Sequence, residues 1–269
     1  MIKSDFFNIQ YRTVETSEGP VQVPVSFYDG AAVMAFFPCG YDAALSKLEG
    51  TGFVPFRMFN GKALAVMGFF EYRDSSFGPY KEITLMFPVF PDNSVSALAS
   101  PFDFFKKIEK RRVGFHIIDL PITGELPLAA GRELWGFPKF KADIEYGYGA
   151  REFEAEVRTY GTGDTIFTFR SPFLKGMRAP FTDCLFYTYL DNTIRRSVVI
   201  MNSGGKMTTG RRALLSAGTA DHRMLKNLCD LGMANAKPLF IQSTGRLQYN
   251  LYECDTIREC PTPELPYCG

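Results

Sequence analysis

The residue whose type and surroundings most clearly permit chemistry is Lys139, which stands in the segment WGFPKF at positions 135–140. Its neighbours are bulky and apolar, and desolvation disfavours the charged form of a lysine. An amine that is kept from water is available to attack a ketone and form a Schiff base. The alternative is a lysine that carries its charge past the aromatic groups to water. The local residues leave both interpretations open.

Other common kinds of catalytic or metal site have little to be built from. The two histidines, His116 and His222, lie far apart in the sequence, so neither a histidine-based metal site nor a Ser/His/Asp triad is expected. None of the six cysteines falls in a C-x-x-C pair, which argues against a zinc ribbon or a thioredoxin-type site. We expect reduced thiols, although the tail cysteines could pair in an oxidising compartment. These are Cys254, Cys260 and Cys268.

The elements that position Lys139 are predicted to be a short helix followed by a strand. Pro127 fits the first turn of a helix with the sequence PLAAGREL, at 127–134. Pro138 restrains the residue before it to an extended conformation, so we expect Lys139 at a sharp junction between helix and strand. A further helix is predicted from about Thr219 to Gly232, because its apolar residues recur at spacings of three and four.

Most of the remaining chain is predicted to form β-strands. Short runs rich in Val, Phe, Tyr, Ile and Thr recur between glycines and prolines. The runs at 152–160 and 165–170 flank a turn with two glycines and predict an antiparallel hairpin. The aromatic content of 15% suits half-buried strands and an aromatic-lined cavity. No repeat or linker marks a boundary, so we predict one domain over residues 1–269.

The charge balance argues against a polyanionic partner. Lys and Arg number 30 and Asp and Glu number 29, which leaves a net charge of +1 and no long-range field toward nucleic acid or an anionic membrane. The sequence has no long apolar run typical of a membrane span or of a secretion signal. We therefore expect a cytoplasmic protein.

Three segments resemble those of the acetoacetate decarboxylase family. GRELWGFPKFKADIEY at 131–146 is similar to the segment that carries the family's Schiff-base lysine, and Lys139 falls in its place. GPYKEI at 78–83 resembles the segment of an active-site glutamate, which corresponds to Glu82. The segment at 225–240 resembles the family's carboxyl-terminal helix and strand. The resemblance covers roughly residues 25 to 250, and the lysine segment is its most specific part.

Three positions depart from the family pattern and imply a more apolar pocket without a carboxylate clamp. The family's second lysine is Phe140 here, its carboxylate-binding arginine falls at Ala31, and a second active-site glutamate is replaced by Met67. Strand alternation puts Lys141 on the same face as Lys139, where it could supply a positive charge. A solvent-facing Lys141 is the alternative.

The resemblance implies a mostly β, α+β fold: a cone-shaped, largely antiparallel β-barrel with flanking helices. It also implies a homo-oligomer. Lys139 and Glu82 are the catalytic residues that it implies. The expected substrate-binding residues are Tyr80, Trp135, Phe137, Phe140, Met67 and Lys141.

The implied activity is that of a lyase acting on a small keto acid. Lys139 would form an imine with a 3-oxo acid such as acetoacetate, and the iminium would accept the electrons released with carbon dioxide, so no metal or organic cofactor is expected. One alternative is an aldolase-dehydratase that condenses pyruvate with an aldehyde through the same lysine. Another is a non-catalytic barrel that binds a small apolar ligand.

Overall fold

The computed structural model describes residues 5–92, 100–149, 152–172 and 175–259, and about half of the chain is strand. The α-helices are α1 (Tyr41–Ser46), α2 (Ser100–Asp103), α3 (Glu125–Trp135) and α4 (Arg223–Asp230). The strands are β1 (Arg12–Val14), β2 (Val21–Val23), β3 (Val25–Cys39), β4 (Val54–Pro55), β5 (Ala63–Ser75), β6 (Tyr80–Phe90), β7 (Gly114–Ile122), β8 (Lys139–Tyr148), β9 (Glu152–Thr159), β10 (Thr165–Pro172), β11 (Met177–Arg178), β12 (Cys184–Leu190), β13 (Thr193–Met201), β14 (Lys206–Thr209), β15 (Leu214–Ala217), β16 (Phe240–Thr244), β17 (Tyr249–Leu251) and β18 (Asp255–Glu259).

Seven strands close into a barrel. Their order is β3, β5, β6, β7, β12, β13 and β17, and β17 pairs again with β3. Six of the seven pairings are antiparallel, and β7 with β12 is the parallel one. A closed ring with an odd number of strands requires at least one parallel pair. The predicted fold class, mostly β with a largely antiparallel barrel and few helices, is confirmed.

A second layer of strands covers one side of the barrel. β8, β9, β10 and β15 follow one another in antiparallel pairs, and β8 joins the barrel by running parallel to the end of β7. The predicted hairpin is the pair β9–β10, and the turn contains Gly161 and Gly163 at φ values of +87° and +78°. The prediction of one domain over residues 1–269 stays a prediction.

The barrel strands between the two layers are buried on both faces, as β6 illustrates. Tyr80, Glu82 and Thr84 line the barrel interior. The alternating residues Ile83 and Leu85 belong to the core between the barrel and the outer layer. Successive side chains of a strand point to opposite faces, so a one-residue difference in position decides which core a side chain enters.

The helices differ from the predicted ones mainly at their first residues. α3 begins at Glu125, two residues before Pro127, and α4 begins at Arg223, four residues after Thr219. His222 caps α4, because its ring nitrogen accepts a hydrogen bond from the Met224 amide.

None of the helices in the described ranges combines the length and the hydrophobicity that a membrane span requires. Cys254 is free, whereas Cys260 and Cys268 lie outside the described residues.

Candidate active site

Lys139 is the first residue of β8, directly after the turn that ends α3. Gly136 adopts the left-handed conformation at φ +68° and ends the helix, as glycine does at many helix C-termini. The Phe137 amide then donates to the Gly131 carbonyl at 3.0 Å. The guanidinium of Arg132 donates two hydrogen bonds to the Lys139 carbonyl, at 2.8 and 2.6 Å. The backbone of Lys139 is therefore fixed to the last turns of α3, at the predicted junction of helix and strand.

The side chain of Lys139 passes across α3 at Gly131. A β-carbon at position 131 would overlap the Cδ and Cε atoms of Lys139 and would lie 3.0 Å from its Nζ. Any side chain at this position would therefore have to displace the lysine. The absence of one at Gly131 gives Lys139 its path into the barrel.

The Lys139 amine forms a buried hydrogen-bonded pair with the Glu82 carboxylate. Nζ lies 2.8 Å from Oε2 of Glu82, and the two residues are 7% and 8% exposed. Glu82 comes from β6 and Lys139 from β8, which are separated in the sheet by β7. Transfer of one proton along this hydrogen bond converts the ion pair into a neutral amine and a carboxylic acid, without any change of net charge. An apolar environment penalises an isolated charge. Proton transfer within the pair is therefore favoured over separation of the ammonium from the carboxylate.

Three tyrosines surround the carboxylate of Glu82. The Tyr72 hydroxyl lies 3.4 Å from Oε1 of Glu82 and 2.7 Å from the Tyr249 hydroxyl. The Tyr80 ring centroid lies 6.0 Å from the Lys139 amine. Burial raises the pKa of each of these tyrosines well above its usual value, and the negative charge of Glu82 raises it further. All three phenols therefore remain protonated near neutral pH, and the Tyr72 hydroxyl donates to the Glu82 carboxylate.

The pair lies in a large apolar cavity inside the barrel, with a volume of about 480 Å³. Among the residues that the sequence predicts at the site, five line this cavity: Lys139, Glu82, Tyr80, Trp135 and Phe137. Trp135 is also held in place by its indole N–H, which donates to the Tyr252 carbonyl at 2.9 Å.

The other three residues that the sequence predicts to bind substrate do not line this cavity. Met67 of β5 points into the core between barrel and outer layer, because the cavity-facing positions on this strand alternate with it. Phe140 packs against the His222 ring, with centroids 4.9 Å apart. Lys141 lies on the same strand as Lys139 but forms an ion pair with Glu125 in the first turn of α3.

Ala31, the position registered against the family's arginine, is buried but does not line the cavity. Among the described residues that do line it, Arg111 is the other basic residue besides Lys139. Within the described ranges, no three His, Cys, Asp or Glu side chains are grouped so that they could hold a metal ion.

Sequence reasoning missed Tyr72 and Gly131. Tyr72 faces Tyr80 across the β5–β6 hairpin. The sequence signal for this pairing is Gly78, which adopts φ +79° in the turn between the two strands. Gly131 opens the segment that resembles the family's lysine segment. Its contact with Lys139 does not follow from the sequence, because it depends on the path of a side chain eight positions away.

Comparisons with known proteins agree with this architecture. Residues 10–171, more than half of the chain, match the family model described as acetoacetate decarboxylase. No curated protein sequence matches the chain.

Several solved structures share the fold at low sequence identity. Acetoacetate decarboxylase from Legionella pneumophila is 12% identical, with a TM-score of 0.61 over 95% of this chain and 94% of that one. Another structure of acetoacetate decarboxylase is 15% identical, with a TM-score of 0.59 over 89% and 91%. The enduracididine biosynthesis enzyme MppR, in complex with pyruvate, is 12% identical, with a TM-score of 0.59 over 87% and 90%.

Proposed function

Because the chain belongs to the acetoacetate decarboxylase family, we propose that it is a Schiff-base-forming lyase that decarboxylates a 3-oxo acid through an imine on Lys139. The observation that carries this proposal is the buried contact of 2.8 Å between the Lys139 amine and the Glu82 carboxylate at the wall of an apolar cavity. Activation of a lysine in a desolvated site is an established route to nucleophilic catalysis.

The reaction begins with attack of the neutral Lys139 amine on the ketone carbon. Water leaves from the resulting carbinolamine and an iminium forms. The bond between the carboxylate and the carbon next to the iminium then breaks, carbon dioxide departs, and the electron pair moves into an enamine. The enamine carbon takes up a proton, and hydrolysis by one water molecule releases the methyl ketone and restores the amine. The iminium is the electron sink, so the proposal requires no metal or organic cofactor.

Glu82 is proposed to move the protons that these steps require. It already accepts a hydrogen bond from the amine at 2.8 Å, within the distance needed for general acid–base catalysis. As a carboxylic acid it can protonate the departing hydroxyl of the carbinolamine, and as a carboxylate it can receive a proton from the amine. The hydroxyl of Tyr72 holds the other carboxylate oxygen.

The apolar wall around Lys139 favours loss of carbon dioxide. At the end of the cavity that holds Lys139, the ionisable side chains among the described residues are Glu82, Lys139 and the protonated tyrosines. A substrate carboxylate bound there gains no ionic partner beyond the iminium itself. Decarboxylation converts this poorly solvated charge into a neutral gas, so the environment destabilises the reactant more than the transition state.

A second candidate function uses the same imine for carbon–carbon bond formation. A solved structure of MppR with the condensation product of pyruvate and imidazole 4-carboxaldehyde is 12% identical to this chain, with a TM-score of 0.54. A pyruvate imine on Lys139 would lose a methyl proton to Glu82 and attack an aldehyde. The missing second cation beside Lys139 is compatible with this reaction as well.

Borohydride reduction in the presence of substrate tests the proposal. With acetoacetate, we expect a reduced adduct on Lys139, identified by peptide mass, together with catalysed release of carbon dioxide. The Lys139→Ala variant should give neither, whereas Lys226→Ala, at an exposed lysine of α4, should behave as the parent protein. Adduct formation with pyruvate and an enone product on addition of aldehyde would identify the condensation reaction instead. An unmodified Lys139 in folded protein with pyruvate and with both short and long 3-oxo acids would exclude both lyase reactions and favour a non-catalytic barrel.

A further inference from the structure

The cavity extends far beyond the Lys139–Glu82 pair. Its lining on β7 begins at Leu120, which pairs with Lys139, and continues through Ile117 and Phe115 to Val113 just before the strand. A strand rises about 3.3 Å per residue, so these positions span about 20 Å. A small keto acid such as acetoacetate would occupy only the inner end of this length.

Along β6, Thr84 is the last polar residue of the cavity lining beyond Glu82. It lies two residues beyond Glu82 on the same face of β6, and its buried hydroxyl has no hydrogen-bond partner within the described part of the chain. The next residue on that face is Met86. The outer part of the cavity, which we call the distal chamber, is lined mainly by apolar and aromatic side chains. They include Phe36, Leu64, Phe104, Phe115, Phe186 and Phe240.

The longer polar side chains of the distal chamber are bound to protein backbone. Gln242 donates to the carbonyls of Ala179 and Pro180, and the Asp183 carboxylate accepts from the Met201 amide. The guanidinium of Arg111 donates to backbone carbonyls. These groups already form hydrogen bonds within the protein. An apolar ligand can therefore bind beside them without breaking any of these hydrogen bonds. Phe105 also lines the cavity and is 87% exposed, so the apolar wall continues to the surface of the protein.

We propose that the substrate is a 3-oxo acid whose ketone carries a long apolar tail, of the fatty-acyl class, with the tail in the distal chamber. This inference rests on the proposed function, since it assumes that the ketone reacts with Lys139. The Thr84 hydroxyl is free to donate to an oxygen of the head group, and the tail continues from Met86 toward Leu64. Each methylene buried in such a chamber strengthens binding roughly fourfold.

A series of substrates with increasing tail length tests the proposal. We expect kcat/KM, measured as methyl ketone formation above the uncatalysed rate, to rise at least about 10²-fold from acetoacetate through 3-oxooctanoate to 3-oxododecanoate. Leu64→Trp fills the distal chamber and should lower the ratio of kcat/KM for the longest to the shortest substrate by at least about tenfold. The matched control is Leu214→Trp, on β15 and outside the cavity, which should leave that ratio unchanged.

The outcomes separate this proposal from the proposed function. Equal kcat/KM for all three substrates, with an imine trapped on Lys139, would overturn the tail assignment and leave the lyase in place. If no keto acid forms an adduct, the lyase fails, and the chamber is tested alone in the Lys139→Ala variant. Trp135 is the one tryptophan of the chain and lines the cavity, so its fluorescence reports binding. Tighter binding of 2-undecanone than of acetone would support the chamber, and an equal response to both would overturn it.

Discussion

At the scale of single residues, the site is defined by two groups that would each be costly to bury alone. A lone ammonium or carboxylate in an apolar cavity lacks solvation. When the two are paired, each provides the opposite charge and the hydrogen-bond partner that water would otherwise provide. Lys139 and Glu82 satisfy one another through one hydrogen bond, while Tyr72 donates to the carboxylate oxygen left over. This arrangement keeps the proton beside the amine, where the proposed imine formation would use it.

Glu82→Gln separates proton transfer from hydrogen bonding. The amide oxygen of glutamine can still accept a hydrogen bond from the Lys139 amine, but it cannot take up its proton. We expect kcat for decarboxylation to fall by about 10² to 10⁴-fold, the range typical of a lost general acid–base group, with an unchanged circular dichroism spectrum. Glu71→Gln, on the neighbouring strand β5 and outside the cavity lining, is the control. A Glu82→Gln enzyme with parental kcat would remove Glu82 from the mechanism.

At the scale of elements, the site depends on the contact between α3 and β8. The turn at Gly136 reverses the chain, and Arg132 holds the Lys139 carbonyl. The lysine side chain then crosses the helix where Gly131 has no side chain. Helix α3 therefore positions Lys139 in two ways: the Arg132 side chain holds its backbone, and Gly131 leaves space for its side chain.

Gly131→Ala should impair activity without destabilising the fold to the same degree. Alanine is the better helix former by about 1 kcal/mol, which offsets part of the strain. Its β-carbon would push the Lys139 side chain away from Glu82. A misplacement of about 1 Å can reduce the rate about 10²-fold, so we expect a loss of that order in kcat together with slower borohydride trapping. Gly204→Ala is the control, because a β-carbon there meets nothing within 4 Å. Parental trapping rates in Gly131→Ala would show that this glycine does not position the lysine.

At the scale of the whole molecule, two separate interiors divide the tasks. The core between barrel and outer layer consists of buried aliphatic and aromatic side chains, and the rings of Phe69 and Phe169 are stacked with their centroids 4.6 Å apart. The barrel interior instead keeps a cavity of about 480 Å³. Stability can come mainly from the first interior, while the second remains open for a ligand.

Global stability should also depend on His116, a residue of β7 whose ring forms a hydrogen bond with β12. Its Nδ1 donates to the Tyr187 carbonyl at 2.8 Å, and burial lowers the pKa of His116 from 6.5 to about 4. Between these values the unfolded chain binds a proton at this ring and the native protein does not, so the free energy of unfolding decreases as pH falls from 6.5 to 4. The loss reaches up to about 3 kcal/mol.

The measurement is urea denaturation at pH 7.0 and pH 4.5 on the parent protein and on His116→Gln. The variant should lose less stability between the two pH values than the parent, because glutamine does not titrate. The buried carboxyl of Asp119, whose pKa is raised by burial, contributes equally to both proteins and cancels in the comparison. An identical pH dependence in the two proteins would contradict the shifted pKa of His116.

The sequence by itself determined the strand-rich fold, the hairpin of β9 and β10, and the junction at which Lys139 stands. These depend on local physics: strand-forming residues between glycines and prolines, a glycine-rich turn, and a proline that keeps the residue before it extended. The resemblance to family segments then singled out Lys139 and Glu82, but no local property of Glu82 distinguishes it from a surface glutamate.

Only the tertiary structure decided which side chains share the cavity. Met67 and Phe140 were expected there and lie elsewhere, since a one-residue step along a strand moves a side chain to the opposite face. Tyr72 and Gly131 entered the site through contacts with residues on other elements. The length of the cavity likewise follows from how seven strands close around it. Face, register and closure are properties of strand pairing across the whole chain, and no local stretch of sequence encodes them.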